Sequence, residues 1–176
     1  MSVLNILRKL ILDNVILVPE KNYSCKLPEP DSDYAFEIRN LPEDALIIKC
    51  DSFPKTAGFF KSNYMECKKA DYALISESKK VIMFFELKRS NYTTHKENVA
   101  QLKGAKCVID YCGLVAASFL DEHEIFDGFT DRYYIVIVNS SSKRSFKKRI
   151  KPPDNRKPDD ARKIYGNTMP FRGLCE

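Results

Sequence analysis

The sequence predicts an α/β protein with a sheet at its centre and helices packed on it. Two runs, 81–87 and 132–138, carry apolar residues at both alternating positions, which suits strands covered on both faces. Residues 2–18 and a stretch beginning at Thr94 repeat apolar residues at helical spacing. At 176 residues, the chain has the size of a single domain, 1–176, with a full core.

The N-terminal element is a predicted amphipathic helix over 2–18, with Ser2 as its N-cap. Pro19 ends it, and the prolines that follow make the next stretch irregular. Residues 35–40 fit either a helical turn or a short strand, and an apolar strand is predicted over 45–51. The helix stripe that would face the sheet comprises Val3, Leu4, Leu7, Leu10, Ile11, Asn14 and Val15.

A β-hairpin is predicted next, because apolar runs at 72–75 and 81–85 flank a polar connection. A turn centred between Ser78 and Lys79 places Asp71 opposite Glu86, and cross-strand partners project from one face. Lys88, two residues on, shares that face. Two carboxylates and a lysine therefore meet at the end of the hairpin.

Paired carboxylates in a partly buried site repel each other unless a cation lies between them. Oxygen ligands of this kind suit Mg²⁺ or Mn²⁺, and the Leu87 carbonyl at the strand end is a further candidate ligand. The alternative is a cross-strand ion-pair cluster that serves only structure.

Beyond the hairpin, Thr94-x-x-Glu97 has the form of a capping box and starts a predicted helix. A further amphipathic helix is predicted over 114–126, a buried strand over 132–138, and a closing strand or turn pair over 163–175. The helix after Thr94 would bury Val99, Leu102, Ala105, Ile109 and Cys112.

Asp71, the hairpin and the Glu86-Leu87-Lys88 run closing an apolar strand resemble the PD-(D/E)xK nuclease superfamily, over about 66–111. Glu-x-Lys occurs three times in the chain, but only this copy ends an apolar strand with an aspartate across the hairpin. Ala70 stands where the family signature has proline. The resemblance implies a three-layer α/β/α sandwich with a central mixed β-sheet, a restriction-endonuclease-like core.

In function, the resemblance implies a metal-dependent endonuclease that hydrolyses phosphodiester bonds, generally in DNA, and leaves 5′-phosphates; the sequence leaves the choice between DNA and RNA open. Asp71 and Glu86 would hold one or two Mg²⁺ or Mn²⁺ ions, and Lys88 would orient or deprotonate the attacking water. A homodimer or a partner subunit is expected by analogy.

The resemblance also suggests two accessory residues. Gln101, on the helix after the Glu-x-Lys strand, is a candidate catalytic residue, and a surface glutamine is the alternative. A third metal-binding acid would come from the first helix or the segment after it, where Glu37 is the candidate and Glu20 the alternative.

The net charge of +5 is concentrated at the C-terminal end, where residues 139–176 hold eleven Lys or Arg and four Asp or Glu. The run 143–151 within the basic segment 143–163 is either a phosphate-tracking arm or a solvated face. The predicted nucleic-acid contacts are Lys68, Lys69, Lys103, Lys143, Arg144, Lys147, Lys148 and Arg149.

Other classes are disfavoured. No Cys-x-x-Cys pair occurs among six cysteines, so reduced thiols are expected, and two isolated histidines argue against zinc or a histidine hydrolase. The apolar runs are too short for membrane spans, and a cytoplasmic protein is predicted. Two alternatives to a nuclease remain: a catalytically silent nucleic-acid-binding or scaffold subunit with the same fold, and an unrelated α/β binding protein.

Overall fold

A computed structural model describes residues 1–29, 33–89, 94–138 and 154–175. The helices are α1 (Val3–Leu10), α2 (His95–Leu120) and α3 (Phe171–Cys175). The strands are β1 (Ile16–Leu17), β2 (Cys25–Pro28), β3 (Ala35–Arg39), β4 (Ala45–Lys49), β5 (Tyr72–Ser76), β6 (Val81–Lys88), β7 (Thr130–Ile137), β8 (Arg162–Tyr165) and β9 (Thr168–Pro170).

A six-stranded sheet in the order β1-β4-β5-β6-β7-β8 forms the centre of the molecule. Its first three pairings are antiparallel, whereas β6-β7 and β7-β8 are parallel. The α/β class with a central mixed sheet is therefore confirmed. β6 and β7 run in the same direction, and β5 runs opposite to them. The C-terminal ends of β6 and β7 therefore lie at the same end of the sheet as the start of β5.

One face of this sheet is covered by α1 and α2. Every other residue of the central strands, such as Ile75, Ile82 and Phe84, joins a core with Leu7 of α1 and Leu102 of α2. The predicted spacing of α2 is confirmed, since Val99, Leu102, Ala105 and Ile109 are buried and Cys112 packs against the core.

The opposite face carries a small second sheet, β2-β3-β9, together with α3. Leu27 and Phe36 of the small sheet and Phe171 of α3 pack on Leu74 and Phe85 of the central sheet. The second helical layer of the predicted α/β/α sandwich is not confirmed, because on this face the described residues form a β layer with one five-residue helix.

Two predicted helices have different bounds. The first ends at Leu10 rather than 18, and the chain then makes a 3₁₀ turn and pairs as β1 with β4. Ser2 is its N-cap as predicted, with Asn5 N donating to Ser2 Oγ at 3.3 Å. The separate helix predicted over 114–126 is absent among these described residues, because α2 continues unbroken to Leu120.

The remaining predicted elements are close to those observed. Residues 35–40 contain a strand, β3, which resolves the alternative left open by the sequence. The strand over 45–51 is shorter, since a 3₁₀ turn begins at Cys50. The closing region holds β8, β9 and α3. All six cysteines are free.

No helix in the described part of the chain is both long enough and apolar enough to cross a membrane.

Candidate active site

The acid pair lies where β5 begins and β6 ends. The register pairs Tyr72 with Phe85, so Asp71 stands opposite Glu86, as predicted from the turn. Both are buried, with exposures of 8% for Asp71 and 1% for Glu86. The Leu87 backbone N–H donates to Asp71 Oδ2 at 2.7 Å, which fixes the aspartate across the two strands.

Lys88 and Gln101 complete the cluster on the helical face. The Lys88 ammonium forms an ion pair with Glu86 Oε1. It also donates to Gln101 Oε1 at 3.1 Å, and the Gln101 side chain acts to lower the pKa of Glu86. Gln101 thus belongs to the cluster and is not an isolated surface glutamine. The structure brings together all four residues for which the sequence predicted a catalytic role.

Burial is the main cause of the electrostatic strain in this cluster. It raises the pKa of Asp71 to about 7, although the Leu87 N–H bond and the Lys88 charge act in the opposite direction. Burial, reinforced by the negative charge of Asp71, raises the pKa of Glu86 to about 8. The metal-free protein therefore holds at least one proton on the pair near neutral pH.

The donor set fits a hard divalent cation. Glu86 Oε2 is a buried oxygen with no hydrogen-bond partner among the described residues, and both acids are disfavoured in their charged forms by burial. In the described ranges, no three His, Cys, Asp or Glu side chains gather as a ligand set. An ion held here would therefore rely on two carboxylates, the Leu87 carbonyl and non-protein oxygens, a composition typical of Mg²⁺.

The segment before Asp71 is docked directly on α2. Ala70 lies just before β5, and its N–H donates to the carbonyl of Gln101, inside α2, at 2.8 Å. Gly104 permits the close approach, because a Cβ there would lie 1.8 Å from the Lys68 carbonyl oxygen. Lys68 Nζ also pairs with Glu97, which lies about two turns before Gly104 on α2. These contacts set the distance between Gln101 and the acid pair.

Two acids near the cluster were not predicted. The charges of Asp51 and Glu29 both raise the pKa of Asp71. Glu29 follows β2, whose end is held beside the site by a 2.6 Å hydrogen bond from the Tyr72 hydroxyl to the Pro28 carbonyl. Local sequence carries no signal for Glu29, since its position depends on packing of the small sheet against the central one.

The proposed third acid, Glu37, is placed elsewhere. It lies on β3, where Oε2 accepts from Thr168 Oγ1 of β9 at 3.3 Å, and it forms no ligand set with the acid pair. The alternative, Glu20, is exposed near Cys25. The resemblance that suggests both residues does not include a small sheet in this position.

The predicted nucleic-acid contacts divide into two groups. Lys68 and Lys69 lie within three residues of Asp71, as expected, with Lys69 Nζ donating to the Pro54 carbonyl at 3.3 Å. Lys103 is exposed on α2 and pairs with Asp159 at 3.5 Å. Lys143, Arg144, Lys147, Lys148 and Arg149 lie outside the described residues.

Comparison of the chain with models of known protein families, with curated proteins and with solved structures found no significant match.

Proposed function

We propose that the protein is a metal-dependent nuclease that hydrolyses phosphodiester bonds, most readily in DNA. The observation that carries the proposal is the acid pair, in which Asp71 and Glu86 are buried, face each other across two strands, and share their face with Lys88 and Gln101. A surface ion-pair cluster accounts poorly for this arrangement, because the acids are buried and Glu86 Oε2 has no hydrogen-bond partner within the described ranges.

Asp71 and Glu86 are the residues that would hold Mg²⁺ or Mn²⁺, with the Leu87 carbonyl as a further ligand. When bound, such an ion lowers the pKa of water and offsets negative charge on a phosphate. The chain's own residues divide the remaining work. Lys88 supplies a positive charge beside the reacting phosphate, and the Gln101 amide, already bonded to Lys88, holds that lysine and can also donate to a phosphate oxygen.

The path of the chain supports nucleic acid as the substrate. Val138 N donates to the Lys88 carbonyl at 2.9 Å, so Val138, five residues before the basic segment 143–163 in the sequence, lies beside the end of β6. Six basic residues in nine at 143–151 suit contact with successive phosphates. The proposal also assigns the chain a restriction-endonuclease-like core. In this chain the small sheet covers the face of the central sheet that a second helical layer covers in that fold.

The decisive experiment measures cleavage of plasmid, linear duplex, single-stranded DNA and RNA with Mg²⁺, Mn²⁺ or EDTA. Asp71→Asn, Glu86→Gln and Lys88→Met should each lower the metal-dependent rate by at least about 100-fold. Glu77→Gln is the matched control, because Glu77 lies in the turn at the opposite end of the same hairpin.

The variants also distinguish a nuclease from its alternatives. A silent binding subunit would bind nucleic acid and cut none of the four substrates. An ion that binds only the folded state must stabilise it. Mn²⁺ should therefore raise the melting temperature of a metal-binding nuclease and should not raise that of an unrelated α/β binding protein whose acids only form ion pairs. Near wild-type cleavage by Asp71→Asn at matched metal concentration would remove the acid pair from the mechanism.

A further inference from the structure

The loop that joins β4 to β5, residues 50–71, presents aromatic rings to solvent. Phe59 is 85% exposed and Tyr64 is 87% exposed. Phe60, also exposed, stands edge-on to Phe59 with ring centroids 5.0 Å apart, so it supports one edge of that ring. Long ordered loops within a compact domain usually have a binding or catalytic role. The exposed ring faces indicate that this loop binds a ligand with flat apolar surfaces.

Both ends of this aromatic loop are held at the acid pair. Cys50 N donates to the Asp71 carbonyl at 2.8 Å, and at the other end Ala70 N donates to the Gln101 carbonyl. Within the loop, Phe59 N and Phe60 N both donate to the Thr56 carbonyl, at 2.9 and 3.0 Å. Phe59 and Phe60 therefore project from a hydrogen-bonded turn, in a loop whose two ends lie beside Asp71.

The charges around the rings favour a polyanion. The loop 50–71 holds four lysines and three acids, of which Asp51 and Asp71 lie at its two ends and one glutamate lies among the rings. That glutamate, Glu66, accepts a 2.8 Å hydrogen bond from Tyr64 N within the loop. Lys55 and Lys61 are exposed, and no carboxylate in the described part of the chain lies within ion-pairing distance of either.

A groove of about 440 Å³ continues from Tyr64 along α2. Val99 and Ala100 contribute to its lining. Lys96 and Lys103 border it together with Glu66 and Asp159, and Asp159 pairs with Lys103. The apolar floor beside the exposed Tyr64 ring suits a base, and Lys96 at its border suits a phosphate.

We infer that the aromatic loop binds unpaired nucleotides, with Phe59 and Tyr64 stacking on bases and the loop lysines contacting phosphates. The faces of bases inside a duplex are covered by their neighbours, so free rings can stack only on bases that are unpaired. This inference rests on the proposed function and narrows its substrate to single-stranded nucleic acid, or to single-stranded stretches beside a duplex.

The test measures binding in EDTA by fluorescence anisotropy, using labelled single-stranded DNA, single-stranded RNA and duplex DNA of matched length. Phe59→Ala and Tyr64→Ala should each weaken single-strand binding about tenfold and change duplex binding less than about twofold. Phe59→Tyr should keep the single-strand affinity of the wild type because it keeps an aromatic ring. Phe59→Leu should lose affinity as Phe59→Ala does. The DNA and RNA arms show whether the sugar matters.

Phe119→Ala is the matched control, since Phe119 is 80% exposed but lies eighteen residues beyond Gln101, about 27 Å along α2. A 2-aminopurine base in the bound single strand should lose fluorescence with the wild type and regain it with Phe59→Ala. An unchanged affinity for single strands in both alanine variants would overturn the inference. So would equal losses on duplex and single strand.

Anionic phospholipid vesicles provide a further arm, because exposed rings among lysines also suit a membrane surface. Vesicle binding that needs Phe59, with single-strand binding that does not, would overturn the inference. All these measurements lack metal, so they fail independently of the proposed chemistry. If the loop variants bind single strands normally while the wild type cleaves with metal, the inference is wrong and the proposed nuclease function stands. If the loop variants lose single-strand binding and the wild type cuts no substrate, the inference stands and the proposed nuclease function is wrong.

Discussion

Replacing Gly104 with alanine tests whether the contact between α2 and the segment 68–70 sets the active-site geometry. The added Cβ would meet the Lys68 carbonyl oxygen at 1.8 Å, the Lys68 carbonyl carbon at 2.9 Å and the Lys69 Cα at 3.2 Å. An ordinary carbon–oxygen contact is about 3.3 Å, so helix and segment must separate by about 1.5 Å. The neighbouring Ala70–Gln101 hydrogen bond of 2.8 Å cannot survive a shift of that size.

The expected loss can be divided into stability and rate. Alanine is favoured over glycine inside a helix by about 1 kcal/mol, but overpacking against backbone and a lost hydrogen bond together exceed this gain. We expect a net destabilisation of about 2 kcal/mol and a melting temperature about 4–8 °C lower. Because Gln101 moves relative to Lys88, cleavage should fall by about 100-fold even where the protein remains folded.

Gly113→Ala on the same helix is the control. Its Cβ would meet only the Phe126 side chain, at 3.4 Å, so the variant should be neutral or stabilised by up to about 1 kcal/mol. Thermal melts and single-turnover cleavage of both variants decide the matter. Equal stability and equal rates for Gly104→Ala and Gly113→Ala would refute the steric reasoning.

Three further predictions concern the acid pair and the charged segment. Burial raises the pKa of Glu86 from 4.5 to about 8, so between these values the folded protein binds more protons than the unfolded chain. In EDTA the Glu86 contribution should lower the free energy of unfolding by about 2–4 kcal/mol as pH rises from about 5 to 8. Glu86→Gln should remove that contribution in denaturant titrations and leave the smaller fall that comes from Asp71, and a flat wild-type profile would contradict this. Gln101→Ala should slow single-turnover cleavage about 10- to 100-fold, and an unchanged rate would leave it no catalytic part. Reversing Lys147, Lys148 and Arg149 to glutamate should weaken DNA binding on all sequences alike and flatten its salt dependence, and an unchanged slope in a salt titration would show a solvated face.

The acid pair could be predicted from sequence because it depends on local structure. Asp71, Glu86 and Lys88 lie on one hairpin, so the turn position alone determines their register and face. Gln101 follows from the helix start at Thr94, whose Oγ1 accepts from Glu97 N at 3.2 Å. The Glu97 carboxylate itself pairs with Lys68, so only half of the predicted capping box is shown.

The elements that sequence reasoning missed depend on long-range pairing. Residues 16–17 continue the apolar pattern of α1 but pair with β4, and helical periodicity carries no record of that partner. The small sheet joins β3 to β9 across most of the chain, with Glu37 beside Thr168. The position of Glu29, whose charge raises the pKa of Asp71, also depends on this sheet, so no local sequence pattern identifies it.

The connection between β5 and β6 bears on the order in which the molecule folds. The four-residue turn makes the hairpin a local structure that closes in microseconds, whereas parallel pairing of β6 with β7 must wait for a connection that includes the 26-residue α2. Asp71 and Glu86 therefore become neighbours while still hydrated, and their mutual repulsion becomes expensive only when α2 closes over them. Docking of that helix should accordingly be the folding step that slows as pH rises, and a divalent cation present during refolding should speed it.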